Sequence, residues 1–290
     1  DRLDGFRDVL PDIDPHLVAD GDFTPEGGAL SMEQLLERSP DLDAVFAASD
    51  VMASGALRVL GVVDVEAERL VGEISSAPTP QPSTPEAMMP TIAALAAKLP
   101  EASGRVGLAF PAVVRNGRAR TAANIDHAWI GADGAALIRR TLDRDALFLN
   151  DADAAGLAEM RLGAGRGVKG SVIMLTFGTG IGSALFVDGR LFPNTELGHM
   201  ELNGMDSEKY ASAHVKAVLN LDWRAWMDRV NVYLDRMQAL FWPDLFILGG
   251  AISERFADFA PLLHCEAEVR PAHFGNQAGV LGAALAAAEA

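Results

Sequence analysis

Ala146-Leu147-Phe148-Leu149-Asn150-Asp151-Ala152-Asp153-Ala154-Ala155-Gly156 is the stretch on which the fold turns. Four apolar residues ending at an Asn-Asp pair predict a buried strand, and the following run predicts a helix over 151–164. A carboxylate at the carboxyl end of such a strand, where the next helix begins, faces the crevice in which α/β folds bind ligands. Asp151 is thereby placed to act on a substrate. Helix capping explains Asp151 or Asp153 equally well, and spacing alone leaves both roles open.

Outward from this stretch the same alternation continues. Strands are expected at 105–110, 171–177, 183–187 and 244–248, and helices at 132–142, 207–219, 223–241 and 277–289. Asn116-Gly117 and Asp188-Gly189 mark two hairpin turns. Upstream, residues 62–73 read as a strand pair, followed by the proline-rich link Pro78-Thr79-Pro80-Gln81-Pro82. A helix opens at Ser83-Thr84-Pro85-Glu86, a capping box, and runs to Lys98 with a kink expected at Pro90. The pattern is that of an α/β fold with mixed sheets, without an internal repeat.

The chain has 290 residues, 49% of them hydrophobic, and no apolar run of membrane-spanning length. That length suggests about two domains of ordinary size. One cysteine, Cys265, cannot form an internal disulfide, and Asp1 opens no signal peptide, so a reducing cytoplasm is the expected location. The formal charge is −16, of which residues 1–62 carry −9 and residues 63–290 carry −7. Nucleic acid is disfavoured as a partner, because counterion release needs clustered Lys and Arg.

Three further motifs carry chemistry. In Thr176-Phe177-Gly178-Thr179-Gly180-Ile181-Gly182-Ser183, three glycines between two apolar strands let backbone amides approach an anion such as phosphate, with the Thr179 hydroxyl as an added donor. A simple glycine-rich hairpin is the alternative, since no helix follows as a dinucleotide fingerprint requires. Glu196-Leu197-Gly198-His199-Met200-Glu201, just after Asn194, groups side chains suited to a polyhydroxy ligand. These side chains are also metal-ligand types, although a closed zinc site usually includes cysteine. Last, Leu245-Phe246-Ile247-Leu248-Gly249-Gly250 is a strand entering a tight turn, open to a nucleoside or serving only as a connection.

Two family resemblances follow from these residues. Arg2-Leu3-Asp4-Gly5-Phe6, residues 20–24 and residues 41–53, Asp-Leu-Asp-Ala-Val-Phe-Ala-Ala-Ser-Asp-Val-Met-Ala, resemble one lobe of the effector-binding domain in lactose-repressor-type regulators. That resemblance implies an α/β fragment of periplasmic-binding-protein type over 1–62, with Arg2 and Asp50 near the effector. From about residue 63 onward the chain resembles the repressor/kinase (ROK) family of sugar kinases, especially polyphosphate glucokinases. The carrying stretches are 78–86, 120–124, 129–131, 150–160, 175–185, 193–199 and 243–250.

The ROK resemblance implies an actin-like, hexokinase-type fold of two lobes, 63–150 and 151–290, with sugar bound between them. Asp151 would be the general base on the glucose 6-hydroxyl. Asn124, Asn150, Glu196, His199 and Glu208 would hold the sugar. Gly178, Thr179, Gly180 and Gly182 would bind donor phosphate, and Gly249 and Gly250 would sit by the nucleoside of ATP. Magnesium would accompany polyphosphate or ATP. No zinc is expected, because residues 200–209 lack the cysteines of the zinc motif, and a homodimer is implied. Arg115, Arg118, Arg120, Arg161, Arg166 and Lys169 are candidates for a polyphosphate path, with ordinary surface solvation as the competing role.

The resemblance also implies a missing part. Where the family has an Asp-Ile-Gly-Gly-Thr strand–turn–strand, this chain reads Ala56-Leu57-Arg58-Val59-Leu60-Gly61. The first β-hairpin and first phosphate loop are expected to be lacking, leaving a truncated N-terminal lobe with an exposed sheet edge. A second functional reading is therefore a non-catalytic fusion or rearranged chain that keeps sugar binding, or a fragment of a sugar-responsive regulator.

Overall fold

A computed structural model of the chain describes residues 58–64, 69–98, 104–123 and 125–290. The regulator-like fragment expected over 1–62 lies outside the described residues except for 58–62, and so does Asn124. The chain opens with an antiparallel pair, β1 (Arg58–Asp64) and β2 (Arg69–Ala77), whose register shifts between Leu60 and Val62. β1 runs straight through the expected boundary at residues 62 and 63. Helix α1 (Pro85–Ala96) starts where the sequence places it, with the Thr84 hydroxyl accepting from the Ala87 N–H at 3.3 Å.

Strand β3 (Val106–Phe110) is followed by β4 (Val114–Arg115) and β5 (Arg118–Ala119), a tight hairpin. Its turn residues Asn116 and Gly117 both have positive φ, 54° and 70°, as this turn requires. Helix α2 (Gly134–Leu142) leads into β6 (Ala146–Asn150), which lies parallel to β3. Phe110, Trp129 and Phe148 pack with ring centroids 4.4–6.4 Å apart and form the heart of this lobe. The Trp129 indole N–H donates to the Ser83 carbonyl at 2.8 Å and so fixes the approach to α1. Among the described residues, β1 and β3 each lack a strand partner on one edge, and the two pairs remain separate small sheets.

Helix α3 (Asp151–Leu162) begins the second lobe. Its sheet contains β7 (Ser171–Phe177), β8 (Ile181–Val187) and β9 (Arg190–Phe192). The chain then forms the small pair β10 (Glu201–Leu202) and β11 (Met205–Asp206), and helices α4 (Ser207–Ala211), α5 (Ala213–Val218) and α6 (Trp223–Phe241). Strand β12 (Leu245–Gly249), the short helix α7 (Phe256–Phe259), β13 (Glu268–Pro271) and the last helix α8 (Ala278–Glu289) complete it. The sheet order is β13-β12-β7-β8-β9, with the first three strands parallel and the β7–β8–β9 meander antiparallel.

Two expectations are adjusted. The strand expected from residue 183 begins at Ile181, because Ile181 and Gly182 pair with Phe177 and Thr176 despite the glycines. The helix expected over 207–219 breaks at Ser212, whose backbone is extended and whose hydroxyl caps the second piece by accepting from the Val215 N–H.

The sheet is covered on both faces. Phe177, Trp226, Tyr233 and Phe246 pack on the α6 side, and Val172, Phe186, Leu281 and Leu285 on the α3–α8 side. α8 packs against α3, β1 and β3 alike. The approach is close enough that a side-chain carbon at Gly282 would overlap the Ala154 carbonyl oxygen of α3. None of the described helices is long and apolar enough to cross a membrane.

This contact generates a test of the packing. Gly282→Ala forces two backbones apart and should lower the unfolding free energy by about 1–3 kcal/mol, read as an earlier urea midpoint at unchanged slope.

Candidate active site

The site is built around the first turn of α3. Asn150 ends β6 and caps the helix: its Oδ1 accepts from the Asp153 N–H at 3.0 Å, and its Nδ2 donates to the Ala112 carbonyl at 3.1 Å. The cap is therefore Asn150 rather than either aspartate. Asp151, the first helical residue, is exposed, and its Oδ1 accepts from the Ala152 N–H at 2.8 Å.

Asp153 is buried. Its Oδ2 accepts from the Asn194 N–H at 2.8 Å, and its Oδ1 is enclosed without a hydrogen-bond partner. Burial pushes its carboxyl up to about 6; the charges of Asp151 and Glu196 add to that, and the bond from Asn194 opposes it.

The glycine hairpin between β7 and β8 lies against this turn. At Gly182 a side-chain carbon would stand 2.5 Å from Thr176 Oγ1 and 3.1 Å from the Ala152 methyl, so absence of a side chain lets the hairpin pack against Ala152, the residue after Asp151. The tip is fixed from below by the Gly178 carbonyl, which accepts from the His214 N–H at 3.0 Å. The Gly249-Gly250 turn ends the neighbouring strand β12. Gly250 has φ 85° and stacks so tightly on the Phe177 carbonyl that no side chain fits there.

The loop after β9 brings in the third group. Ser183 of β8 is buried, and its Oγ donates to the Thr195 carbonyl at 2.8 Å and accepts from the Leu197 N–H at 3.0 Å. Gly198 then presses on the Ile181 carbonyl, closer than any other residue allows, and sets His199 beyond it. His199 Nε2 lies 3.7 Å from Glu196 Oε2, and its Nδ1 lies 3.6 Å from Asp206 Oδ2 and 3.8 Å from Glu208 Oε1. Burial raises the Glu196 carboxyl above its ordinary range, with His199 opposing and Glu208 reinforcing. Glu208 also abuts Gly180 at the hairpin tip. His199, Asp206 and Glu208 offer ligand-type atoms within 4.8 Å of one another, a geometry open to a cation.

Of the residues expected at the site, Asp151, Glu196, His199, Glu208 and both glycine turns converge, while Asn150 adjoins them with its amide engaged by backbone. Several of the expected basic residues are occupied elsewhere. Arg118 donates to the Gly131 carbonyl at 2.8 Å and approaches Asp133, and Arg161 pairs with Glu289 at 2.6 Å. The sequence reading missed the structural work of Asp153, Asn194, Ser183 and Asp206. A faint signal existed for Asp153, which lies two residues from Asp151 on a turn otherwise made of alanines.

The ROK family profile matches residues 56–214. Over 227 residues the chain is 44% identical to a polyphosphate glucokinase of Mycobacterium tuberculosis (strain CDC 1551 / Oshkosh), covering 78% of this chain and 85% of that one. An inorganic polyphosphate/ATP-glucomannokinase from Arthrobacter sp. strain KM has a solved structure that matches with a TM-score of 0.76 and 42% identity, over 81% of this chain and 99% of that chain. A shorter stretch of 64 residues is 52% identical to the HTH-type transcriptional regulator CelR of Thermobifida fusca, covering 21% of this chain and 19% of that protein.

Asp153 supplies a pH signature. Its folded-state value of about 6 lies above the ordinary 3.8, so the native state favours the protonated carboxyl. The stability this gives is complete below about pH 4 and lost as pH rises through 6. Between pH 4 and 8 the unfolding free energy of Asp153→Asn should therefore rise relative to the parent by up to about 3 kcal/mol, measured by urea titration at each pH.

Proposed function

Because the chain belongs to the ROK family, we propose that it is a glucokinase, transferring a phosphoryl group from polyphosphate or ATP to the 6-hydroxyl of glucose. The observation that carries this reading is the exposed Asp151 carboxylate at the start of α3, with the glycine hairpin packed beside it at Ala152. A hydroxyl held at Asp151 would lie next to the place where backbone amides receive phosphoryl oxygens.

In this reading Asp151 accepts the proton of the 6-hydroxyl as the oxygen attacks the terminal phosphorus. A carboxylate of ordinary basicity suffices, since phosphoryl transfer depends mainly on positioning and charge neutralisation. Glu196, His199 and Glu208 accept from and donate to the other hydroxyls, with Asn124 completing the sugar contacts from the first lobe. Asn150 contributes by fixing the cap. Gly178, Thr179, Gly180 and Gly182 take the donor phosphate, and Gly249 and Gly250 adjoin the nucleoside when the donor is ATP.

Magnesium prefers oxygen ligands, keeps several waters and is bound through one or two carboxylates together with substrate phosphates. It would be held with the donor phosphate at the glycine hairpin, where it would supply neutralisation of phosphate charge, and Asp151 is kept for the hydroxyl proton. The imidazole in the His199 cluster suits magnesium poorly, and the cluster, which has no cysteine of the kind closed zinc sites usually include, is assigned to sugar. The family likeness favours a cytoplasmic homodimer that binds neither nucleic acid nor membrane.

A second reading keeps the sugar site without turnover. It is favoured by residues 56–61, which do not contain the glycine-bearing phosphate loop of the family, and by the regulator-like match. Loss of such a loop removes electrostatic stabilisation worth several kcal/mol.

Glucose 6-phosphate formation by the full chain, with polyphosphate and with ATP, separates the two readings. Turnover is expected with at least one donor, and Asp151→Asn should lower kcat by about 100- to 10,000-fold while the calorimetric glucose affinity stays within about threefold. Glucose binding without turnover would favour the second reading, and turnover surviving in Asp151→Asn would remove Asp151 from its role.

A further inference from the structure

Two polar residues that take no part in the scheme above join the halves of the site. Asp153 is only 2% exposed, and its Oδ2 accepts from the Asn194 N–H at 2.8 Å. Asn194 in turn accepts through Oδ1 from the Val114 N–H, at 2.7 Å. Val114 opens β4 in the first lobe, Asn194 opens the loop that carries Glu196 and His199, and Asp153 lies two residues beyond Asp151. Asn194 makes both contacts from a left-handed backbone, φ 59°. One residue thus ties the sugar loop to the first lobe on one side and to α3 on the other.

An anion is a costly choice for this position. Asp153 Oδ1 is enclosed without a partner, and the carboxylates of Asp151 and Glu196 face the same group. Burial of an incompletely satisfied charge disfavours the folded state, and a neutral acceptor would hold Asn194 at lower cost. Stability alone does not explain the carboxylate; location at the meeting of α3, the sugar loop and β4 does.

We propose that Asp153 and Asn194 form a positioning relay for phosphoryl transfer, holding the 194–199 loop in one register against both Asp151 and β4. The inference rests on the glucokinase reading. Misplacement of a bound reactant by about 1 Å costs on the order of 100-fold in rate, so a loop released from α3 loses turnover before the fold is lost.

The test compares the full chain with Asp153→Ala, Asp153→Asn and Asn194→Gly, measuring kcat, glucose KM and calorimetric glucose affinity alongside urea midpoints. Asn194→Gly keeps the left-handed backbone and the N–H to Asp153 and loses only the tie to Val114; it should raise glucose KM about tenfold. Asp153→Ala should lower kcat about 100-fold. Asp153→Asn retains an acceptor and should recover most of that loss.

Kinetics within twofold of the parent in both Asn194→Gly and Asp153→Ala would overturn the relay while leaving the glucokinase reading intact. So would an Asp153→Asn variant as impaired in kcat as Asp153→Ala. A parent chain that neither binds nor phosphorylates glucose overturns both. Should Asp153→Ala fail to fold, the other two variants decide the matter by the same criteria.

Discussion

Asn150 is the residue on which the site's geometry hangs. It ends β6 and caps α3, and its amide reaches across to the Ala112 carbonyl, so strand, helix and the approach to β4 meet on one side chain. A helix cap of this kind contributes about 1 kcal/mol, and the buried Ala112 carbonyl would lose its donor if the amide were removed, at a further cost of about 1–3 kcal/mol. The cap gives α3 a fixed starting point, which sets the direction of Asp151 and the placement of Asp153. The resemblance assigns Asn150 to the sugar. The amide engagements make its larger contribution the orientation of its neighbours.

The electrostatics run against first intuition. A chain of charge −16 is read as handling polyanionic donors, and Glu196, Asp206 and Glu208 surround one imidazole, that of His199. Hydroxyl-rich sugars suit such a carboxylate set, because every hydroxyl donates. In the proposed scheme the donor anion is received by the backbone amides of the glycine hairpin, which carry no net charge. Arg118 and Arg161 are already engaged with Asp133 and Glu289, so these two cations are held away from free attraction at the site.

Much of this was legible in the sequence, for a reason that also explains the remainder. The strands at 146–150 and 171–177 were placed to the residue, because an apolar run closed by Asn or Gly has an unambiguous period and end. Ile181 was hidden among glycines, which carry no pattern. The break at Ser212 was missed because a serine that caps and a serine inside a helix look alike until the backbone is seen. Asp151, the residues around His199 and both glycine turns could be singled out because each motif is local. The relay was not, because its two bonds span 41 and 80 residues of chain, and no spacing rule reaches that far. The stretch 1–57, where a second resemblance was drawn, lies outside the described residues.

The two small N-terminal sheets lean on α8 rather than on each other. Their common support thus stands about two hundred positions after β1 in the chain. Domains usually assemble in the order in which they emerge, but here these strands gain that support only after α8 has been made. A fragment that stops before α8 is therefore a poor choice for expression alone.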